Sequence, residues 1–209
     1  MCTTIVRIES VGPDARARRL FFEDDSTPRV TSVAALKLLG LDVGCTVERR
    51  ELFDALAQHE PALARERALQ LLGYRERSSG ELRQRLLDNG YPCTVVHAVV
   101  ARFCEVELVD DRRFASAWVR SRASAGYGRR RILRELADKD IDAEIAEIAL
   151  DEELTADELT RARDALRGRQ PRDPRDRERL VRRLVTRGFE LRTALDAVGP
   201  APDSGQATS

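Results

Sequence analysis

One pattern of hydrophobic and polar positions occurs three times along the chain, at intervals of about 50 residues. In each copy an apolar residue is followed four positions later by a leucine. Gly or Asp stands four positions after that leucine, and the next residue is again apolar. The copies are Leu82, Leu86, Gly90 and Tyr91; Ile132, Leu136, Asp140 and Ile141; and Leu180, Leu184, Gly188 and Phe189. A spacing of four places the apolar pair on one helix face, and a left-handed Gly ends a helix. Asp tolerates that conformation better than most residues. Each copy therefore predicts a helix with a buried face and a defined end.

A helix-forming segment precedes and follows each of these middle helices, so we expect three three-helix repeats. The sequence predicts a mainly α protein in which the repeats form an elongated, curved array, preceded by a small antiparallel β element. The expected divisions are a β-hairpin or meander with a short helix (1–45), a linker helix with the first repeat (46–108), the second repeat (109–154), the third repeat (155–198) and a disordered tail (199–209).

Capping and breaking residues predict where several helices begin and end. Thr46 is a candidate N-cap of the linker helix, and Pro61 is expected to break or kink that helix. Ser78 or Ser79 can cap the next helix, and Thr155 is expected to cap the first helix of the third repeat.

Charge is abundant but unevenly distributed. Charged residues make up 34% of the chain and the formal net charge is zero. Between residues 111 and 135 there are eight arginines and two acids, residues 138–158 contain ten acids and one lysine, and residues 161–192 contain twelve arginines and five acids. These alternating blocks either pair with one another or face a charged partner.

The arginines of the second repeat are the candidate binding surface. Arg129, Arg130 and Arg131 follow a glycine at a predicted helix start, where positive charge opposes the helix dipole and an anionic partner would offset the cost. The complete candidate set for partner or phosphate binding is Arg112, Arg113, Arg120, Arg122, Arg129, Arg130, Arg131 and Arg134. A solvated arginine face without a binding role is the other interpretation.

No constellation of catalytic residues is visible. Asp110 and Asp111 invite a metal or acid–base interpretation, but they lie at a predicted helix start, where capping accounts for them. The four cysteines form no C-x-x-C pair, and neither histidine lies near a ligand set. We therefore expect no catalytic residue, no metal, no cofactor and no enzymatic activity. The sequence shows neither a signal peptide nor an apolar run long enough to span a membrane, which predicts a cytoplasmic protein.

Three stretches of the chain resemble the RecX family of regulatory proteins, which modulate the RecA recombinase. They are ALQLLGYRERSSGELRQRLLDNGY, LVDDRRFASAWVRSR and GRRRILRELADKDI. The resemblance extends from about Ala64 to Ala149, with a weaker third repeat to about Ala197. Two positions depart from it, because family members usually carry Gly where Asp140 and Glu107 stand here.

The resemblance implies a tandem of three-helix repeats that binds in the groove of the RecA–DNA filament as a monomer. It implies inhibition of ATP hydrolysis and strand exchange, and so a role in DNA recombination, DNA repair and the SOS response. A single- or double-stranded DNA backbone is a further expected partner. The alternative is a helical DNA-binding module that acts without the recombinase, since three-helix units resemble helix-turn-helix proteins. The absence of an Asn, Gln and Arg cluster on any one helix argues against that alternative.

Overall fold

The structure, a computed structural model, describes residues 2–200. The chain divides into two compact units, an N-terminal unit that ends at Asp110 and a C-terminal unit that begins at Asp111. Within the described range the fold is mainly helical with one small antiparallel sheet, which confirms the predicted fold class. Most of the expected disordered tail, residues 201–209, lies outside the described residues. No helix in the described range is long and apolar enough to cross a membrane.

The N-terminal unit begins with a four-stranded antiparallel sheet in the order β3-β2-β1-β4. The strands are β1 (Cys2–Val11), β2 (Ala17–Phe22), β3 (Arg29–Ser32) and β4 (Thr46–Glu48). Alternation along β1 and β2 buries Ile5, Leu20 and Phe22 on one face of the sheet. That face packs against helices α1 (Val33–Leu39) and α2 (Arg49–Tyr74) through Leu36, Leu52 and Leu56. A two-stranded hairpin alone would be marginal in water, and the helices supply the missing apolar cover.

The start of the linker helix differs from the sequence prediction. Thr46 lies in β4, paired with Thr4 of β1, so its expected role as an N-cap was wrong. Helix α2 begins at Arg49, and the Glu48 carboxylate accepts a hydrogen bond of 3.0 Å from the Glu51 amide. The expected cap, Thr46, and the observed cap, Glu48, are the two ends of β4. The sequence alone could not show that β1 extends far enough to pair with residues 46–48.

Helix α2 continues through Pro61, so of the two expected effects, a break or a kink, the break does not occur. The preceding residue, Glu60, is only 1% exposed and carries a carboxylate. Its two oxygens accept hydrogen bonds from the Thr31 hydroxyl (2.8 Å) and the Arg29 guanidinium (3.3 Å). Burial raises the pKa of Glu60, and the contacts from Thr31 and Arg29 oppose that rise. A buried polar contact thus joins strand β3 to the centre of α2.

Each of the three repeats contains three helices around its own hydrophobic core. The first comprises the end of α2, α3 (Ser79–Asp88) and α4 (Cys93–Glu105); the second α5 (Asp111–Ser124), α6 (Arg129–Ala137) and α7 (Ala143–Glu153); and the third α8 (Glu158–Leu166), α9 (Pro174–Thr186) and α10 (Leu191–Val198). The Ser78 hydroxyl caps α3, as predicted. Asp157, and not the expected Thr155, caps α8, because the helix starts two residues later than the sequence suggested.

The recurring positions have the environments that the pattern predicts. The six apolar residues of the middle helices are at most 3% exposed, and the residues that follow each helix end, Tyr91, Ile141 and Phe189, are at most 6% exposed. Gly90, Asp140 and Gly188 all have positive φ, of 88°, 57° and 93°. The repeated sequence therefore encodes a buried helix face and a left-handed helix end in all three repeats.

Two main-chain hydrogen bonds join the second and third repeats. The N-cap of α6 is Gly128, which has no side chain with which to cap the helix. The Gly128 amide instead donates to the Arg187 carbonyl (2.8 Å), and the Arg130 amide donates to the Gly188 carbonyl (3.2 Å). The C-terminal end of α9 thus caps the N-terminus of α6 and satisfies unpaired groups on both helices. We call this contact the glycine junction.

Close approach at the glycine junction requires both glycines. A Cβ atom at Gly128 would lie 2.5 Å from the Gly188 carbonyl, and one at Gly188 would lie 2.4 Å from the Arg131 Cβ. A related contact occurs in the N-terminal unit, where a Cβ at Gly90 would lie 2.6 Å from the Thr31 carbonyl of β3. In both places the turn after a middle helix is covered by main chain from an earlier part of the same unit.

We predict that Gly188→Ala destabilises the C-terminal unit more than Gly168→Ala. Both glycines have positive φ, so each change introduces strain of about 1–2 kcal/mol. Of these two glycines only Gly188 is crowded in the described structure, and overpacking there adds about 1–3 kcal/mol. Urea unfolding followed by fluorescence of Trp118, the single tryptophan, measures the difference. Equal losses in the two variants would show that contact at the junction is unimportant.

A second prediction concerns pH and Glu60. Because burial raises the pKa of Glu60, the Glu60 carboxylate binds a proton more tightly in the folded chain than in the unfolded chain. Its contribution to stability is therefore fully present below the usual pKa of 4.5 and is lost as the pH rises through the higher folded value. Glu60→Gln has no carboxyl group to titrate at this position. The wild-type protein should therefore lose stability relative to the variant as the pH rises from 4.5 through the folded-state pKa of Glu60. Hydrogen exchange of α2 amides, corrected for intrinsic rates, tests this; a pH-independent difference would contradict it.

Candidate partner-binding surface

Helices α5 and α6 carry all eight candidate arginines of the second repeat. The side chains of Arg112, Arg113, Arg120, Arg130 and Arg134 are exposed, and those of Arg122, Arg129 and Arg131 are half-buried. Buried residues on the opposite faces, among them Phe114, Val119 and Ile132, fix the orientation of the two helices. The core therefore directs the arginines outward on a rigid scaffold, as the amphipathic pattern predicts.

Carboxylates of the same chain pair with most of these arginines. Arg129 forms ion pairs with Glu147 and with Asp151, the latter at 2.8 Å, and Arg120 pairs with Glu153. The hydrogen bond with Asp151, and then the one with Glu147, raises the pKa of Arg129. All three carboxylates lie on α7, so the basic block and the acidic block that follows it pair within the repeat. This was one of the two alternatives that the charge pattern left open.

Glu135 of α6 holds two further arginines. One carboxylate oxygen lies 3.0 Å from Arg131 Nε, and the other lies 2.6 Å from Arg122 Nε. The contact with Arg131 has hydrogen-bond geometry, whereas the contact with Arg122 is a close ion pair without it. The Glu135 side chain is only 18% exposed, so solvent screens these contacts less than it screens the outer pairs.

A cluster of cations and aromatic rings lies beside these ion pairs. Arg122 lies 4.3 Å from the ring centre of Trp118, and Arg131 lies 4.3 Å from that of Tyr127. The Lys139 ammonium is also 4.2 Å from the Trp118 ring. These distances fall within the range of cation–π attraction. Arg122 and Arg131 are thus held by Glu135 on one side and by aromatic rings on the other.

The arginines at the start of α6 do not need an external anion to offset the helix dipole. Arg129 contacts α7, Arg131 contacts Glu135, and Arg130 pairs with Glu190 of the third repeat at 3.3 Å. Carbonyl groups from the glycine junction also face this helix end. The sequence predicted that these arginines stand at the start of a helix. The negative charge that was expected from an external partner comes instead from carboxylates of the same chain.

Sequence reasoning missed the aromatic residues of this surface. Trp118 and Tyr127 were not among the candidate residues; both pack against the core of the second repeat, and both rings also contact arginine side chains. A usable signal was present, since Trp118 and Arg122 are four residues apart on one helix, as are Arg131 and Glu135. Of the eight arginines, Arg134 makes no ion pair with any residue in the described range.

The arrangement of these groups favours electrostatic recognition. Within residues 2–200 no group of three or more His, Cys, Asp and Glu side chains could hold a metal ion. Guanidinium groups present several fixed donors and suit carboxylate or phosphate oxygens. The fold and this surface together define a helical-repeat protein with an arginine-rich exterior.

Comparisons with known proteins identify the family. Residues 64–103 match the family described as "RecX, first three-helix domain", and residues 110–150 match "RecX, second three-helix domain". A Mycolicibacterium vanbaalenii protein named "Regulatory protein RecX" is 41% identical over 147 residues, covering 65% of this chain and 80% of that protein. A Mycolicibacterium smegmatis protein of the same name is 36% identical over 169 residues, covering 73% and 89%. The chain therefore belongs to the RecX family, a family of regulatory proteins and not of enzymes.

Two solved structures share the fold. "Crystal structure of regulatory protein RecX" aligns with a TM-score of 0.56 at 19% identity, covering 91% of this chain and 96% of that one. "Crystal structure of RecX from Lactobacillus salivarius" aligns with a TM-score of 0.53 at 21% identity, covering 66% and 93%. At these identities the likeness concerns the fold alone.

We predict that Glu135→Ala lowers the free energy of unfolding of the C-terminal unit by about 1–2 kcal/mol, because it leaves Arg122 and Arg131 without their shared carboxylate. Glu152→Ala is the matched control, since Glu152 is exposed on α7 and forms no ion pair with any described residue. Urea unfolding followed by Trp118 fluorescence gives both values. Similar values for the two variants would mean that Glu135 does not organise the surface.

Proposed function

We propose that this protein binds the RecA–DNA filament as a monomer and inhibits the recombinase, lowering its ATP hydrolysis and strand exchange. The observation that carries the proposal is membership of the RecX family, with 41% identity to a protein named "Regulatory protein RecX" over 80% of that protein. The arginine-rich surface on a rigid helical scaffold supports it, because acidic protein groups and DNA phosphates are both anionic.

The proposed contact surface is the arginine face of the second repeat, and its members have two roles. Arg129 and Arg131 are held by carboxylates and, for Arg131, by Tyr127, so they orient the start of α6. Arg130 and Arg134 lie four residues apart on the same helix, and both are exposed. These two side chains are the ones that an anionic partner can reach with the least disruption of internal contacts.

Exchange of ion-pair partners provides a mechanism for binding. The side chains of Arg130 and Glu190 are 66% and 55% exposed, and such a pair contributes only about 0.2–1 kcal/mol. An anionic group of the filament can therefore replace Glu190 at little energetic cost. Because the glycine junction fixes the start of α6, binding orders the Arg130 side chain but requires no further ordering of its backbone.

A DNA-binding module that acts without the recombinase is the competing hypothesis. It shares the electrostatic surface but does not require RecA. Inhibition of RecA ATP hydrolysis at protein concentrations too low to occupy free DNA supports the filament hypothesis. Inhibition that appears only when DNA is saturated with the protein supports the alternative.

We predict that Arg130→Glu with Arg134→Glu weakens inhibition of RecA ATP hydrolysis on single-stranded DNA by roughly tenfold or more, because two like charges at a close contact oppose association. The measurement is the concentration of protein that halves the ATPase rate. This pair tests the surface better than a change of Arg129 or Arg131, whose loss also breaks contacts inside the repeat.

Arg50→Glu serves as the control, because Arg50 is 89% exposed on α2, in the N-terminal unit. It should leave inhibition within about twofold of wild type, and circular dichroism should show that all variants remain folded. Unchanged inhibition by the double variant would remove this face from the mechanism. Failure of the wild-type protein to inhibit would refute the proposed function itself.

A further inference from the structure

A cavity of about 240 Å³ lies in the N-terminal unit, far along the chain from the arginines of the second repeat. Its polar lining comes from four segments: Arg16 precedes β2, Lys37 lies on α1, Arg67 lies on α2, and Asn89 follows α3. We call this space the N-terminal cavity. A water molecule occupies about 30 Å³ of the liquid, so the cavity has room for roughly eight water-sized groups. That volume suits a small ligand.

The N-terminal cavity is bounded by the sheet on one side and by the first repeat on the other. It lies beside the close contact of Gly90 with the Thr31 carbonyl, since Ser32 and Asn89, the neighbours of those two residues, both line it. The Tyr91 hydroxyl, which also lines the cavity, already donates to a main-chain carbonyl of α2 at 3.2 Å. Main-chain packing therefore fixes the shape of the inner wall.

The Asn89 side chain leaves one buried donor unpaired in this cavity. Its Oδ1 accepts a hydrogen bond of 2.8 Å from Arg67 Nε, which identifies the other terminal atom as the amide nitrogen. Within the described residues Nδ2 has no hydrogen-bond partner, although Asn89 is only 2% exposed. Unpaired buried donors are costly and therefore rare. The inner wall thus favours a ligand that brings an acceptor atom to Asn89.

Three cationic side chains line the same cavity. Arg16 and Lys37 are exposed, and Arg67 is half-buried. Within residues 2–200 none of the three forms an ion pair with a carboxylate. Glu66, the single acid among the described lining residues, is exposed, and its carboxylate accepts a hydrogen bond of 3.3 Å from Gln70. The lining is therefore cationic, although the whole chain has no net charge.

Neutral groups hold the Arg67 guanidinium in place. Nε donates to Asn89, and Nη1 donates to the Gln70 amide oxygen at 3.2 Å. A guanidinium carries five N–H donors, so further donors remain for a ligand. Desolvation lowers the pKa of Arg67, and the charge of Arg16 lowers it further. An anion beside Arg67 would favour its charged form and so oppose both effects.

The distribution of donors distinguishes a phosphate from a carboxylate. Because the donors come from four segments of the chain, a ligand that engages them all must accept hydrogen bonds from several directions. A phosphate group has three or more strongly accepting oxygens, whereas a carboxylate has two in one plane. A terminal phosphate also carries close to two negative charges at neutral pH, which suits three cations better than one charge does.

We propose that the N-terminal cavity binds the terminal phosphate group of a small molecule. The bound phosphate connects the sheet and α1 to α2 and the end of α3, and it stabilises their packing because it binds the folded unit alone. The proposal does not rest on RecA binding, since its residues lie in the N-terminal unit, whereas the proposed contact arginines lie on α6 of the C-terminal unit.

The test is a titration of the full chain with inorganic phosphate at a pH above about 7, where the dianion predominates. Sodium chloride keeps the ionic strength constant, and NMR follows the Ser32 main-chain amide and the Asn89 side-chain amide. We expect saturable shifts of both signals with a Kd on the order of 1 mM or lower. Shifts that are absent, or that do not saturate well above that concentration, would overturn the inference.

Two exposed cations provide the first variant. Arg16→Gln with Lys37→Gln should weaken phosphate binding at least about tenfold, because two charge-assisted contacts are lost. The matched control is Arg50→Gln with Arg65→Gln, which removes two exposed charges of α2 that do not line the cavity. It should bind within about twofold of wild type. Equal losses in the two variants would show that net charge, and not this cavity, governs binding.

A second variant tests the buried donor. Asn89→Asp keeps the oxygen that accepts from Arg67 and replaces the unpaired amide group by a carboxylate oxygen. It should abolish phosphate binding, with circular dichroism showing that the chain remains folded. Undiminished binding would contradict a site at Asn89. Because Arg16 and Lys37 are exposed, their variant decides the question even if Asn89→Asp does not fold.

Two other ligands identify the source of the anion. Acetate should produce no saturable shifts in the concentration range of phosphate, and equally tight binding of acetate would indicate a carboxylate ligand. Oligothymidylate without terminal phosphates should leave the Asn89 side-chain signal unchanged, because each phosphodiester carries one charge and is flanked by chain on both sides. Equal binding of either ligand would overturn the assignment to a terminal phosphate. RecA inhibition by the wild-type protein is measured separately, so the two proposals fail independently.

Discussion

The arrangement of the C-terminal unit depends on hydrogen bonds between main-chain atoms at Gly128 and Gly188. Side chains at either position would prevent the approach, because a Cβ atom would lie within 2.5 Å of main-chain or Cβ atoms of the opposite segment. The bonds satisfy groups at the start of α6 and at the end of α9, which would otherwise need water or side-chain caps. Arg129, Arg130 and Arg131 follow this junction directly, so the junction fixes where the helix start presents its charges.

Charge pairing distinguishes two repeats that are similar in helical plan. In the second repeat, acids on α7 pair with Arg120 and Arg129, and Glu135 holds two further arginines beside Trp118 and Tyr127. In the third repeat the corresponding helix contains a single acid, and desolvation, followed by the charges of neighbouring arginines, lowers the pKa of Arg183. Zero net charge for the whole chain therefore conceals surfaces of different character.

The sequence predicted the features that depend on local periodicity. The buried pairs and the left-handed residues Gly90, Asp140 and Gly188 follow from spacing and backbone sterics, which neighbouring residues determine. Strand β4 and the pairing of Arg129 with α7 depend on contacts between segments far apart in the chain, and composition does not specify those. The candidate arginines lie on α5 and α6, but their carboxylate partners could be recognised only after folding.

The hydrogen bonds of the glycine junction use main-chain groups, so this contact between the second and third repeats imposes few demands on the chemistry of the surrounding surface. Arginines and acids can be exchanged on the outer faces during evolution while Gly128 and Gly188 keep the same scaffold. A lineage can thus redistribute charge from one repeat to the next without having to rebuild the architecture. The paired arginines of the second repeat and the acid-poor last helix of the third show that one helical plan accommodates both distributions of charge.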